Sequence, residues 1–242
     1  RADFGRVTVF FGNKNGKYPD GNQVVVRGTD TRVVFDSPPV ANRIGPEFDD
    51  ADLVVLGHVH EDHMAGLHRL PGVPVHVHMA DLDALRSWEG LARHYGVAAH
   101  RQAAMRAKIE RDYHYQARPD AIGYADGAVW ELGGSRVRAF HMPGHTAGHT
   151  VLLVEPEGVA FTGDVAGIRI DGGDGEDRLV GGAGNDTISG GARTDWISGG
   201  AGDDLLFVDV DDYVYVDGGD GYDRVQLMLD VDGSGYDGGA GT

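Results

Sequence analysis

The chain has 242 residues and a formal net charge of -17, and its length allows one large domain or two. It contains no cysteine, which excludes disulfides and thiolate ligands and leaves His, Asp and Glu as the side chains that could hold a metal. A chain this acidic repels phosphate backbones, and no apolar run approaches the length of a membrane span, so we expect neither a nucleic-acid partner nor a membrane-spanning segment.

The acidity is concentrated in the C-terminal part of the chain. Residues 171–242 hold 17 Asp and Glu against three Arg, whereas residues 1–170 hold 21 acidic and 18 basic residues. The same C-terminal residues hold 19 of the 39 glycines. Because both changes fall at one place, the sequence predicts a domain boundary near Ile170, between a domain of residues 1–170 and one of residues 171–242.

The first 36 residues predict strands, because apolar and polar residues alternate at 7–11, 23–27 and 31–36. A turn-rich stretch separates the first two segments, so we expect an antiparallel meander. The apolar runs at 53–57 and 73–78 predict two further strands.

Helices are expected next, over 80–95 and 98–113, where apolar residues recur every three to four positions. Four more strands are predicted after them, at 129–132, 137–142, 150–155 and 158–162. Strands, then helices, then strands again indicate helices packed outside a β-sandwich.

Potential metal ligands are clustered at the end of the predicted strand 53–57. His58, His60, Asp62 and His63 fall within six residues there, and side chains that follow a strand end can converge on one cation. The alternative is a polar loop whose histidines hydrogen-bond locally.

Two later strand ends repeat this arrangement. His145 and His149 lie in the Gly-rich loop after strand 137–142, and Asp164 follows strand 158–162. The glycines around these residues are expected to let the backbone pass close to a metal, which a Cβ atom would obstruct.

These motifs, in this order, resemble those of the metallo-β-lactamase superfamily of metallohydrolases, over about residues 5–166. The resemblance implies an α/β fold, an αβ/βα sandwich with a metal site along one edge. It assigns His58, His60 and His145 to a first zinc. It assigns Asp62 and His63 to a second zinc, and Asp164 to a bridge between the two. His149 is expected to support the loop rather than to bind metal.

The sequence departs from that family after Asp164. Family members place a further histidine ligand some tens of residues later, and no histidine follows His149 in this chain. We therefore expect the second site to be one ligand short. The C-terminal half of the sandwich is expected to be incomplete unless later residues supply it.

From Gly172 the chain repeats with a period of nine, as GGDGEDRLV, GGAGNDTIS, GGARTDWIS and GGAGDDLLF. The apolar eighth residues are expected to point inward. Two repeats would form one coil, which stacks Asp177 near Asp195 and Asp186 near Asp204. One more good repeat, with Asp223, starts at Gly218 after a slip of one residue in the register. Another begins at Gly238 and stops, as expected of a fragment.

The repeats resemble the repeats-in-toxin (RTX) calcium-binding β-roll of secreted bacterial proteins. The aspartates expected to bind Ca²⁺ are Asp177, Asp186, Asp195, Asp204 and Asp223. Arg193 replaces the glycine at the fourth position of the third repeat, which leaves the geometry of that turn open. A secreted, extracellular location follows from the millimolar calcium that such modules need, although no signal peptide is visible. The alternative is a disordered acidic linker.

The two resemblances together imply a zinc-dependent hydrolase of a small ester or lactone with a calcium-binding tail, in which Asp62 orients the attacking water. One alternative is a mononuclear iron dioxygenase, since His58, His145 and Asp164 resemble the site of persulfide dioxygenases. The other is a non-catalytic head on a calcium-binding module. A small-molecule substrate is expected in the enzymatic cases, and the sequence predicts no oligomeric state.

Overall fold

The computed structural model describes residues 1–16, 18–164, 169–210, 212 and 215–228. The chain divides into two compact units, the head, Arg1–Glu157, and the roll, Gly158–Thr242. The boundary drawn from composition near Ile170 stays a prediction. The repeat expected to begin at Gly238 lies outside the described residues.

The first sheet of the head follows the chain order. Its strands are β1 (Ala2–Phe4), β2 (Val7–Phe10), β3 (Gln23–Arg27), β4 (Arg32–Phe35), β5 (Leu53–Val55), β6 (Val75–His78) and β7 (Ile122–Tyr124). Strands β1 to β4 pair antiparallel, which confirms the predicted meander, and β4 to β7 pair parallel. Every residue of β5 is buried, as expected for a parallel strand that is covered on both faces.

Helices pack against this sheet. They are α1 (Pro46–Asp49), α2 (Leu82–Arg86), α3 (Trp88–His94) and α4 (Ala99–Tyr113). The single helix predicted over 80–95 is wrong, because Ser87 is extended and accepts a hydrogen bond from Gly90 N, which starts α3 afresh. Its apolar stripe nevertheless faces one core, since Leu85, Trp88 and Leu91 are all buried. Among the described residues, no helix is long and apolar enough to cross a membrane.

The second sheet of the head contains the antiparallel strands β8 (Val129–Glu131), β9 (Arg136–His141) and β10 (Thr150–Glu155). Alternate residues of β9 and β10, among them Val137 and Leu152, are fully buried and form its inner face. Thr150 N donates to Gly57 O at 2.9 Å. The end of β5 and the loop between β9 and β10 therefore meet at one edge of the head.

The roll consists of two parallel sheets whose strands alternate along the chain. One contains β11 (Val159–Phe161), β13 (Arg178–Ala183), β15 (Trp196–Ala201) and β17 (Val216–Asp220), and the other β12 (Arg169–Asp171), β14 (Thr187–Ser189), β16 (Leu205–Val208) and β18 (Arg224–Leu227). The apolar eighth residues of the repeats, Leu179, Ile188, Ile197 and Leu206, are buried between them. This confirms the inward direction predicted from the period of nine.

Candidate metal centres

Three imidazoles from two strand ends meet at the edge of the head. His58 and His60 follow β5, and His145 lies on the loop between β9 and β10. Each offers a ring nitrogen within 4.8 Å of the other two, and His145 Nε2 lies 2.9 Å from His60 Nδ1. Zinc–nitrogen bonds of about 2.0–2.1 Å at tetrahedral angles place ligand nitrogens about 3.3 Å apart. The three donors therefore fit one cation of this kind.

His58 is the buried member of this group. It has no exposed surface, whereas His145 is exposed. Burial lowers the pKa of His58 well below its ordinary value, and the neighbouring imidazoles, His63 first, lower it further. A neutral imidazole is the form that binds metal, so the surroundings of His58 favour coordination.

Asp62 and His63 lie beside these imidazoles and are both buried. His63 Nε2 is 3.7 Å from Asp62 Oδ2, and its Nδ1 is 2.8 Å from Asp36 Oδ2. The other carboxylate oxygen of Asp36 accepts a hydrogen bond from Gly57 N at 2.7 Å. Asp36 thus fixes the orientation of His63 and the turn that carries His58, the usual arrangement of a carboxylate behind a metal-binding histidine.

Tyr95 supports His60 and its neighbour. Its ring stacks on that of His60, with centroids 5.4 Å apart and an interplanar angle of 15°. The Tyr95 hydroxyl donates to the Glu61 carboxylate and accepts from Glu61 N at 3.3 Å. Burial raises the pKa of Tyr95, so this hydroxyl stays protonated and remains a donor.

The remaining predicted residues of the head motifs lie at two places. His149 is fully buried, with its ring 5.2 Å from that of His58. Asp164 follows β11 and belongs to the roll, and its role as a bridging ligand stays a prediction. Asp36 and Tyr95 were not predicted. The available signal for Asp36 was its position directly after an apolar strand.

The aspartates of the roll stack in two columns. Asp177 N donates to Asp195 Oδ1 at 2.8 Å, and Asp186 N donates to Asp204 Oδ1 at 2.8 Å, each across 18 residues. The second column continues from Asp204 N to Asp223 Oδ1 across 19 residues. The stacking therefore follows the predicted coil of two repeats.

Three of these aspartates each have a carboxylate oxygen that lacks a hydrogen bond. The Oδ2 atoms of Asp177, Asp195 and Asp204 are buried and have no hydrogen-bond partner among the described residues. Burial raises the pKa of Asp195 to about 6. A Cβ on Gly190 would lie 2.4 Å from Asp195 Oδ2, so the first glycine of the repeat makes room for this carboxylate. Buried, unsatisfied carboxylate oxygens fit a hard cation such as Ca²⁺.

Two features of the roll go beyond the sequence prediction. Arg193 keeps the geometry of the glycine that it replaces, with φ of +84°. Asp212, which lies in a stretch without the repeat glycines, is fully buried and continues the first column, since Asp195 N donates to its Oδ1 at 2.5 Å across 17 residues. The spacing between stacked aspartates therefore changes in both columns. Asp212 follows Asp195 after 17 residues and Asp223 follows Asp204 after 19, whereas the other stacked pairs are 18 residues apart.

Comparison with solved structures identifies the fold of the head. An archaeal metallo-β-lactamase superfamily protein, ST1585 from Sulfolobus tokodaii, superposes with a TM-score of 0.52 and 24% sequence identity, over 67% of this chain and 64% of that chain. The head has the metallo-β-lactamase fold. The α/β sandwich predicted from the order of the motifs is therefore confirmed.

Two curated relatives resemble the chain over 169 and 173 residues. "Acyl-coenzyme A thioesterase MBLAC2" of Homo sapiens is 30% identical over 173 residues, which are 61% of this chain and 60% of that protein. "Atrochrysone carboxyl ACP thioesterase dmxR1" of Cryptosporiopsis sp. (strain 8999) is 29% identical over 169 residues, 66% of this chain and 43% of that protein. The chain spans about half the length of these relatives.

A family model identifies the repeats of the roll. The RTX calcium-binding nonapeptide repeat, a model of four copies, matches residues 171–206 and 180–214. The chain therefore joins a head of the metallo-β-lactamase fold to RTX repeats, as the two resemblances implied.

Asp212 provides a test of the RTX columns. Its two oxygens accept hydrogen bonds from Asp195 N and from Asp209 N, the latter at 3.0 Å. An amide has one acceptor oxygen for these two donors, so Asp212→Asn is expected to raise the calcium concentration at the folding midpoint about 10-fold, as for the loss of one charged hydrogen bond. Circular dichroism during a calcium titration measures it. Asp171→Asn, at an exposed position, removes the same charge and is the control. Equal midpoints for the two variants would contradict the role of Asp212.

Proposed function

We propose that the chain is an extracellular, metal-dependent hydrolase of an acyl substrate, stabilised by calcium bound to its RTX repeats. The observation that carries the catalytic part is the convergence of His58, His60 and His145 within 4.8 Å of one another. His60 and His145 meet there although they lie 85 residues apart in the sequence. A purely structural role would not require these side chains to converge.

Zinc is the cation that we assign to these imidazoles. A set of neutral nitrogen donors without thiolates is typical of catalytic zinc, which keeps a coordination position for substrate. Asp62 and His63 are the ligands in the head that we propose for a second cation. Zinc at such a site supplies Lewis acidity, which polarises a carbonyl oxygen and lowers the pKa of water.

The residues of the chain would carry out the proton transfers and hold the ligands in place. Asp62 is buried and lies 3.7 Å from His63, where it can accept a proton from the attacking water and return it to the leaving group. Asp36 would hold His63 in the tautomer whose Nε2 carries no proton and can bind a cation. Tyr95 would keep Glu61 away from the cation by binding its carboxylate.

The substrate that we propose has a carbonyl carbon bonded to an oxygen or sulfur leaving atom. The family resemblance of the motifs implies esters and lactones, and the names of the two thioesterase relatives support thioesters. All three react by attack of water at one carbonyl carbon. The set of three imidazoles supports hydrolysis over the iron dioxygenase, whose site needs two histidines and a carboxylate.

The RTX repeats support an extracellular location. Modules of this kind bind calcium at about 10⁻⁴ to 10⁻³ M, far above the level inside cells. We propose that the roll folds after export and that the head acts outside the cell.

Metal analysis together with hydrolysis assays tests this proposal. Zinc, iron and calcium are measured per chain, and rates are measured with p-nitrophenyl butyrate, γ-butyrolactone and butyryl-coenzyme A, for the wild type and His60→Ala. We expect one to two zinc per chain and a rate on at least one substrate that falls about 10³-fold in the variant, the effect of losing several kcal/mol of transition-state stabilisation. One equivalent of iron with oxygen uptake, or equal rates for the two proteins, would overturn it.

A further inference from the structure

Backbone hydrogen bonds within the hairpin set the shape of the loop that carries His145. Contacts with other parts of the head set the position of that loop. Met142 N donates to His149 O at 2.9 Å, and Gly144 N to Thr146 O at 3.0 Å. These bonds close the hairpin between β9 and β10. They do not determine where the tip of the hairpin lies relative to His58 on the other sheet. Since His145 itself is exposed, packing of its own side chain cannot hold it.

Asp81 attaches the loop to the other sheet, in addition to the bond from Thr150 N to Gly57 O. It lies between β6 and α2 and is fully buried. Its Oδ2 accepts a hydrogen bond from Thr146 Oγ1 at 2.7 Å, and its Oδ1 accepts one from Gly148 N at 2.8 Å. These donors lie one and three residues after His145. Asp81 stands at the N-cap position of α2, but its side chain makes no capping bond to that helix.

Gly148 is shaped for this contact. A Cβ on Gly148 would lie 2.6 Å from Asp81 Cγ and 2.9 Å from Asp81 Cβ, which is closer than packed atoms approach. The sequence predicted that glycines in this loop give room to a metal. The structure shows that the absent side chain of Gly148 gives room to the carboxylate of Asp81.

A second contact ties the same loop to the same strand end. His141 Nε2 lies 2.9 Å from Ala147 O, and the His141 ring stacks on that of His78, with centroids 3.9 Å apart. His78 is the last residue of β6, three positions before Asp81. Both attachments therefore run from the end of β6 to the loop.

We propose that Asp81 is the positioning residue that sets the metal affinity of His145, acting through Thr146 and Gly148. The inference rests on the proposed function, in which His145 binds a cation with His58 and His60. Hydrogen bonds to groups behind a metal ligand are generally worth 10-fold to 100-fold in metal affinity. The carboxylate of Asp81 would have this effect by holding the loop, without touching the cation or the substrate.

The test is Co²⁺ binding to full-length, metal-stripped protein kept in excess calcium. Asp81→Ala removes both hydrogen bonds to the loop and Thr146→Val removes one of them, and we expect each to weaken Co²⁺ binding 10-fold to 100-fold and to change the visible Co²⁺ spectrum. Thr146→Ser keeps the hydroxyl and is expected to rescue both. The matched control is Thr8→Val, because Thr8 Oγ1 donates to Asp3 Oδ1 at the same 2.7 Å in the same head, far along the sheet at β1 and β2.

The outcomes separate the inference from the proposed function. If His145→Ala binds Co²⁺ as tightly as the wild type, the proposed metal centre fails, and the inference fails with it. If His145→Ala weakens binding but Thr146→Val and Asp81→Ala match Thr8→Val in affinity and spectrum, the proposed function stands and the role of Asp81 is refuted. A melting temperature for each variant identifies changes that are only structural, since those lower stability without moving the Co²⁺ spectrum.

Discussion

His58→Ala is expected to lose the bound metal of the head and to lower the rate of hydrolysis at least about 10³-fold. The variant keeps only two of the three imidazoles, and two are too few to hold the cation. His149→Ala is the matched variant. Both side chains are fully buried, and their rings lie 5.2 Å apart, so truncation creates a similar cavity in each case. Only His58 belongs to the group whose nitrogens converge with those of His60 and His145.

For His149→Ala we expect full metal stoichiometry with an affinity about 10-fold to 100-fold lower, the effect of losing a supporting residue. Both variants should show a comparable fall in melting temperature in the metal-free state. Metal content by mass spectrometry and initial rates on the best substrate of the acyl panel are the measurements. Loss of metal in both variants to the same extent would show that His149 is a ligand, and retention in both would remove His58 from the centre.

The ligand cluster could be predicted from the sequence because strand ends bring its members together. His58 follows an apolar strand, and His145 follows another, so the two positions meet wherever the strands end at one edge. The strict period of nine likewise fixed which residues of the roll face inward, Ile188 and Ile197 among them. The ligand motifs are short stretches of sequence, and the roll is a repeat. Both patterns can therefore be recognised before the fold is known.

The supporting residues were not predictable in the same way. Asp36 acts on His63 across 27 residues, and Asp81 acts on Thr146 across 65. Aspartate is common in the turns that follow strands, so neither position stands out in the sequence. Asp212 has no glycines around it, so no repeat marked it. The break at Ser87 was hidden because α2 and α3 place their apolar residues against the same core.

Removal of calcium is expected to unfold the roll and to leave the head folded. Among the described residues of the roll, the buried apolar cluster consists of Leu179, Ile188, Ile197, Leu206 and Val208, a small core for a chain rich in glycine. The Oδ2 atoms of Asp177, Asp195 and Asp204 are also buried without a hydrogen-bond partner among the described residues. Without a cation these charges are buried and repel one another, which a core of this size does not offset.

A chelator titration followed by circular dichroism and limited proteolysis measures this effect. We expect cleavage sites to appear after Gly158 and none before it, and the β-sheet signal to return with a calcium midpoint of about 10⁻⁴ to 10⁻³ M. Mg²⁺ is the matched cation, because it has the same charge but is smaller and requires an octahedral set of ligands. Recovery with Mg²⁺ at the same concentration would mean that the roll needs only screening of its charge. Recovery with Ca²⁺ alone would mean that the buried Oδ2 atoms bind the ion directly, and a roll that stays folded in chelator would contradict the coupling of folding to calcium.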